Sequence, residues 1–95
     1  MKSKRWFLVS YDVRDPKRLR RTAKLLSGYG MRVQYSLFRC FLNNREVERL
    51  RWELSLILAA EDDLVIVGLC RTCARKLSER HEDLLPKEEE VFQIV

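Results

Sequence analysis

The sequence predicts an α+β domain in which two amphipathic helices pack on one face of a four-stranded sheet. Three observations predict it: β-branched and aromatic runs of strand length, two segments with apolar residues at helical spacing, and the order in which these alternate. A chain of 95 residues has room for one domain and one core. So short a chain buries a smaller share of its surface than a larger domain, so a partner subunit is a natural source of further burial.

Residues 5–12 (RWFLVSYD) read as the first strand. Alternation places Phe7, Val9 and Tyr11 on one face and Trp6, Leu8, Ser10 and Asp12 on the other. Asp15 then caps a helix that Pro16 opens, since Asp accepts a bond from the first-turn amides and Pro suits the first helical position. Leu19, Ala23 and Leu26 fall at core-facing spacing, and Lys17, Arg20, Arg21 and Lys24 follow the opposite stripe. Gly28, Tyr29 and Gly30 end this helix.

Residues 31–42 (MRVQYSLFRCFL) are long for one strand and read as two extended segments, with a tight hairpin or a bulge near Tyr35 and Ser36. Asn43 supplies the next N-cap, with Glu46 three residues on. Val47, Leu50, Leu54 and Ile57 mark the second amphipathic helix. Glu61, Asp62 and Asp63 form a turn. Residues 64–69 (LVIVGL) are nearly unbroken in apolar character, which predicts a strand buried on both faces. The order β-α-β-β-α-β is the ferredoxin-like arrangement. Residues 71–90 are charged and read as irregular, and residues 91–95 (VFQIV) turn apolar again. Residues 1–95 are thus expected to be one domain, with 71–95 an extension carrying a short edge strand that pairs within the subunit or with a partner.

Both faces of the first strand are largely apolar, yet two helices can cover only one face of the sheet. A second copy packed across a two-fold axis is the simplest cover for the other, so a homodimer is expected.

Composition narrows the function classes. The chain is 46% hydrophobic and 35% charged, and no apolar run approaches the ~20 residues of a membrane span. Three cysteines, an odd number, argue against a disulfide framework and for a reducing cytoplasm. The net charge of +5 is unevenly spread: residues 1–45 hold 12 Lys/Arg against 2 Asp/Glu, and residues 46–95 hold 7 against 12. A basic half suits a polyanion, because clustered cations displace the counterions condensed on phosphates.

Asp12 ends the first strand on the face assigned to the dimer interface. A carboxylate buried there unpaired is costly, and two of them facing across a two-fold call for a cation between them. Hard oxygen ligands at a phosphate-binding surface favour Mg²⁺ or Mn²⁺. The alternative is a strand-end Asp that starts a turn. Arg14, Lys17, Arg18, Arg20 and Arg21, with Arg32 and Arg39 on strands, surround it in sequence and read as phosphate-backbone contacts or, singly, as solvated charges. Tyr11, Tyr35 and Phe38 are placed either to stack near the site or to fill the core. Cys70 and Cys73, with Cys40 and His81, invite a zinc reading. A lone C-x-x-C is weak, and Cys70 at the end of a buried strand reads as a small hydrophobe. There is no Gly-rich phosphate loop, nucleophile elbow or H-E-x-x-H helix.

The runs Tyr11, Asp12, Val13 and Leu19, Arg20, Arg21, followed by GMRVQYSLF over residues 30–38, resemble the CRISPR-associated protein 2 family. The resemblance spans roughly residues 5–73, including the Leu69, Cys70, Cys73 stretch. It implies a ferredoxin-like homodimer whose two strand-end aspartates, here Asp12, face each other and bind Mg²⁺. It implies a metal-dependent endonuclease acting on single-stranded RNA or duplex DNA, with Tyr11, Arg20, Arg32, Ser36 and Phe38 where family members carry residues implicated around the site. It also implies an architectural role in which the dimer bridges two dimers of the CRISPR integrase and holds duplex DNA for spacer insertion. A single-strand RNA-recognition module shares the strand and helix order. Arg39, Cys40, Phe41 and Leu42 do not meet its aromatic pattern, and it leaves Asp12 unexplained.

Overall fold

The computed structural model describes residues 3–85. Seven elements follow in order: β1 (Arg5–Asp12), α1 (Pro16–Ser27), β2 (Gly30–Gln34), β3 (Leu37–Leu42), α2 (Asn44–Ile57), β4 (Asp63–Gly68) and α3 (Arg71–Arg80). The strands form one antiparallel sheet in the order β2-β3-β1-β4, the ferredoxin-like topology.

Local chemistry sets these boundaries as the sequence predicts. The Asp15 side chain accepts from Arg18 N at 3.0 Å with Pro16 opening α1. Asn43 and Glu46 exchange bonds in a full capping box, at 2.8 and 2.9 Å. Both an irregularity and a turn occur in the hairpin, with a register shift between Arg32 and Gln34 and a turn at residues 35–36. Gly30 is required where β2 begins, because a Cβ there would lie 2.1 Å from the Arg39 carbonyl oxygen and 2.6 Å from Cys40 Sγ.

The core lies between the helices and one sheet face. Phe7, Val9, Tyr11, Phe38, Cys40 and Leu42 from the sheet meet Leu26, Val47, Leu50 and Leu54 from α1 and α2. Burying each such aliphatic or aromatic side chain contributes about 1.5–3 kcal/mol. Ala23 and Ile57 are half-buried, whereas Leu19 stays 39% exposed. The fully buried residues of α1 are Thr22 and Leu26, so the buried stripe includes Thr22, which the expected spacing left out.

Three expectations are corrected. Within the single chain, residues 64–69 are not buried on both faces: among the described residues β4, running Asp63–Gly68, is an edge strand, with Val65 55% and Val67 46% exposed on the face away from the helices. Residues 71–80 are not irregular but form α3, capped by Cys70. Cys70 is accordingly an exposed helix cap rather than a small hydrophobe at the end of a buried strand. The edge strand expected at residues 91–95 lies outside the described residues. Among those described, no helix is long and apolar enough to cross a membrane.

Candidate active site at the ends of β1 and β4

β1 ends at Asp12 and β4 begins at Asp63, and the antiparallel register sets these two residues opposite each other, with Ser10 opposite Val65. All four belong to the sheet face that turns away from the helices. Asp12 and Asp63 are both exposed, and neither carboxylate makes a hydrogen bond or ion pair among the described residues. Opposed side chains in an antiparallel pair stand roughly 4.5–5.5 Å apart at Cβ, where like charges repel. Together with Ser10, Tyr11, Ser36 and Val65 they line an open depression of about 240 Å³. Two carboxylates beside serine hydroxyls form a hard oxygen donor set, which fits Mg²⁺ or Mn²⁺ and fits soft metals poorly.

The neighbouring residue holds this arrangement in place. Asp62 Oδ2 accepts from Arg18 Nε at 2.8 Å and from Ala59 N at 2.9 Å. Its Oδ1 accepts from Arg18 Nη2 at 3.3 Å and from Arg14 N at 3.4 Å. Arg18 Nη2 also donates to Glu61 Oε1 at 2.8 Å. The Asp62 side chain is fully buried. The Arg18 guanidinium, with help from the two amides, holds its carboxyl at about 2, below the usual carboxylate range. Arg18 is in turn held above its usual value, chiefly by its bond to Asp62. One carboxylate thus ties the exit of β1, the first turn of α1 and the entry to β4 together, and sets Asp63 beside Asp12.

The residues expected at the site are distributed unevenly. Asp12 and Ser36 line the depression. The Tyr11 and Phe38 side chains belong to the helix-side core, 4% and 1% exposed with ring centroids 6.1 Å apart, so they support the strand from behind the Asp12 carboxylate. Tyr11 N donates to the Ser36 carbonyl at 3.2 Å, which ties the hairpin turn to β1 next to Asp12. Arg32 lies over the Phe38 ring at 5.4 Å. Arg18 is engaged by Asp62 and Glu61, whereas Arg14, Lys17, Arg20 and Arg21 are exposed. Arg39 is half-buried and donates to the Leu84 carbonyl at 3.2 Å. Tyr35 is 92% exposed at the hairpin tip.

Sequence reasoning missed Asp63. Its one available signal was the second carboxylate after Glu61, read only as part of a turn, and the strand register that makes it Asp12's neighbour is not visible in the sequence.

The family model for the CRISPR associated protein Cas2 matches residues 5–77. The chain belongs to this family. A CRISPR-associated endoribonuclease Cas2 from Chloroflexus aurantiacus is 38% identical over 74 residues, 76% of this chain and 80% of that protein. Another from Synechocystis is 40% identical over 57 residues, 60% of this chain and 62% of the relative, so the match spans less than two thirds of that protein's length. Among solved structures, a hypothetical protein from Thermus thermophilus is similar with a TM-score of 0.70 and 39% identity, covering 72% of this chain and 84% of that one. The Cas2 of Streptococcus pyogenes is similar with a TM-score of 0.66 and 34% identity, covering 79% and 92%. In this Cas2-family chain, the depression carrying Asp12 and Asp63 lies within the matched span.

Proposed function

We propose that this chain works in CRISPR adaptation as a homodimer that binds nucleic acid and hydrolyses phosphodiester bonds as a Mg²⁺-dependent endonuclease, on RNA or duplex DNA. The opposition of Asp12 and Asp63 carries this reading: two unneutralised carboxylates share an open face in a chain whose relatives are named endoribonucleases and endonucleases. Asp12 and Asp63 hold the ion, Mg²⁺ or Mn²⁺. When bound, it polarises the phosphodiester and lowers the pKa of an attacking water. Ser10 and Ser36 offer hydroxyls to phosphate oxygens at the same depression. Arg14 and Lys17, just beyond Asp12 in the chain, meet the backbone on either side. Tyr11 and Phe38 hold β1 and the hairpin rigid beneath the site, and Arg32 extends from the Phe38 ring. A second copy covers Leu8, Val65 and Val67 across a two-fold and brings the two carboxylate pairs towards each other.

A second reading has an observation of its own. Arg20, Arg21 and Lys24 are exposed on α1, which packs on the sheet face opposite Asp12, and none makes an ion pair among the described residues. A basic surface apart from the carboxylates suits a dimer that holds duplex DNA and bridges integrase dimers without cutting.

The deciding experiment compares wild type with Asp12→Ala on labelled duplex DNA and single-stranded RNA, with Mg²⁺ and with chelator, scoring cleavage and binding together. The endonuclease reading expects cleavage by wild type only with metal, and binding without cleavage by the variant. Equal binding with no cleavage by either protein removes that reading in favour of the bridging one.

A further inference from the structure

Cys70 and Cys73 lie outside the site described above. Leu69 N donates to the Trp6 carbonyl at 2.9 Å, the last tie of the chain to the sheet before α3. Cys70 is the N-cap of α3 with extended backbone (φ −71°, ψ 164°), which folds its side chain over the first turn. Its Sγ accepts from Cys73 N at 3.3 Å, so the first turn of α3 closes over the Cys70 sulfur. Both cysteines are exposed. The third, Cys40, is fully buried, and burial pushes its thiol up to about 11.

We propose that Cys70 and Cys73 form a reversible dithiol–disulfide pair, with Cys70 the attacking thiol and Cys73 the resolving one, oxidised by low-molecular-weight disulfides. An N-cap cysteine bonded by the amide of a second cysteine three residues on is the arrangement in which one thiolate is stabilised by first-turn amides while the other waits one turn away. The direction is consistent. Hydrogen bonds from the Cys73 side chain and from first-turn amides hold Cys70 below the usual thiol range, and the same Cys70 bond and charge hold Cys73 above it.

The Cys70 thiolate attacks one sulfur of a disulfide RSSR, forms a mixed disulfide and expels RS⁻. The Cys73 thiolate then attacks the Cys70 sulfur, expels the second RS⁻ and closes the Cys70–Cys73 bond. The two protons lost by the protein thiols end on the two RS⁻ groups, and the small disulfide takes up the two electrons the protein loses. The closed bond pins the first turn of α3. The chain beyond α3 returns to the sheet where Arg39 donates to the Leu84 carbonyl and Leu85 is fully buried, so the pair controls one end of a segment anchored at the other. Cytosolic disulfides are usually of this transient, sensing kind.

The test incubates the full chain with oxidised glutathione, alkylates it under denaturing conditions and measures the intact mass. Wild type is expected to pass from three alkylated cysteines to one, Cys40, with no glutathione retained. Cys73→Ser is expected to stop with one glutathione on Cys70, and Cys70→Ser to react more slowly than Cys73→Ser. Both positions are exposed, so both variants fold. The proposal is overturned if wild type keeps three alkylatable thiols or retains the same adduct as Cys73→Ser. It is equally overturned if the oxidised product is a disulfide between two chains, or if bound zinc protects the pair until a chelator removes it.

Discussion

Arg18 Nε donates to Asp62 Oδ2 at 2.8 Å and joins the first turn of α1 to the residue that precedes β4. Two adjacent aspartates therefore divide two roles. Asp62 is buried and saturated with donors, and Asp63 is exposed and stands opposite Asp12 in the strand register.

Asp62→Ala leaves Arg18 Nε and the part-buried amide of Ala59 without their acceptor, while Arg18 Nη2 keeps Glu61. A buried donor without a partner costs more than the lost bond alone. The expected result is a fall in Tm of at least roughly 4–8 °C, the shift that a domain of this size shows for modest destabilisation. Thermal melts followed by circular dichroism measure it, and an unchanged Tm contradicts the role given to Asp62.

The same group has a defined pH signature. Its carboxyl is held at about 2 in the fold, against roughly 3.9 when unfolded. A depressed carboxylate stabilises fully above its unfolded value, and that stability is lost as pH falls through its folded value. The Tm gap between wild type and Asp62→Ala is expected to stay constant from about pH 7 to 5 and to narrow from about pH 4 to 2. A gap that persists unchanged at low pH contradicts the assignment.

Thr22 is fully buried in α1, and its hydroxyl has no partner among the described residues. Thr22→Val replaces that hydroxyl with a methyl of similar shape and removes an uncompensated polar group. Stability is expected to rise by about 1 kcal/mol, read as a higher urea midpoint at constant slope. A lower midpoint shows that the hydroxyl is bonded in solution.

Val65 and Val67 give β4 an apolar outer face next to Leu8. Val65→Arg places a charge in the surface proposed to meet the second copy. Sedimentation at micromolar concentration is expected to show a dimer for wild type and a monomer of unchanged Tm for the variant. Two dimers, or two monomers, place the subunit contact elsewhere or nowhere.

Much of the fold was legible because local signals and the global order agree. The Asp15 and Pro16 start, the Asn43 and Glu46 box and the two-face reading of β1 all hold. What escaped depends on tertiary context. A run such as LVIVGL has the same sequence whether buried on both faces or lying at an edge with one face open, so Val65 and Val67 were misplaced. α3 escaped because Ala74 and Leu77 are its only inward aliphatic residues and its cap is a cysteine rather than Ser or Asp. For the site, Asp12 and its face were readable by alternation alone. Alternation likewise sets Tyr11 on the face opposite Asp12, whereas Asp63 needed the β1–β4 register and the burial of Phe38 needed its pairing across β1 to β3.

The central claim is that Asp12 and Asp63 together hold the divalent ion, and Mn²⁺ titration followed by calorimetry tests it most directly. Wild type, Asp12→Asn and Asp63→Asn are compared, each with a melt in chelator to establish that it folds. Each substitution removes one of two opposed like charges, so without metal each variant is expected to be as stable as wild type or more so, by roughly 0.2–1 kcal/mol. The account predicts that each variant binds Mn²⁺ at least roughly tenfold more weakly than wild type, the loss expected when a carboxylate ligand is removed from so sparse a site. Wild-type affinity in the Asp63→Asn variant would contradict it and leave Asp12 without its proposed partner.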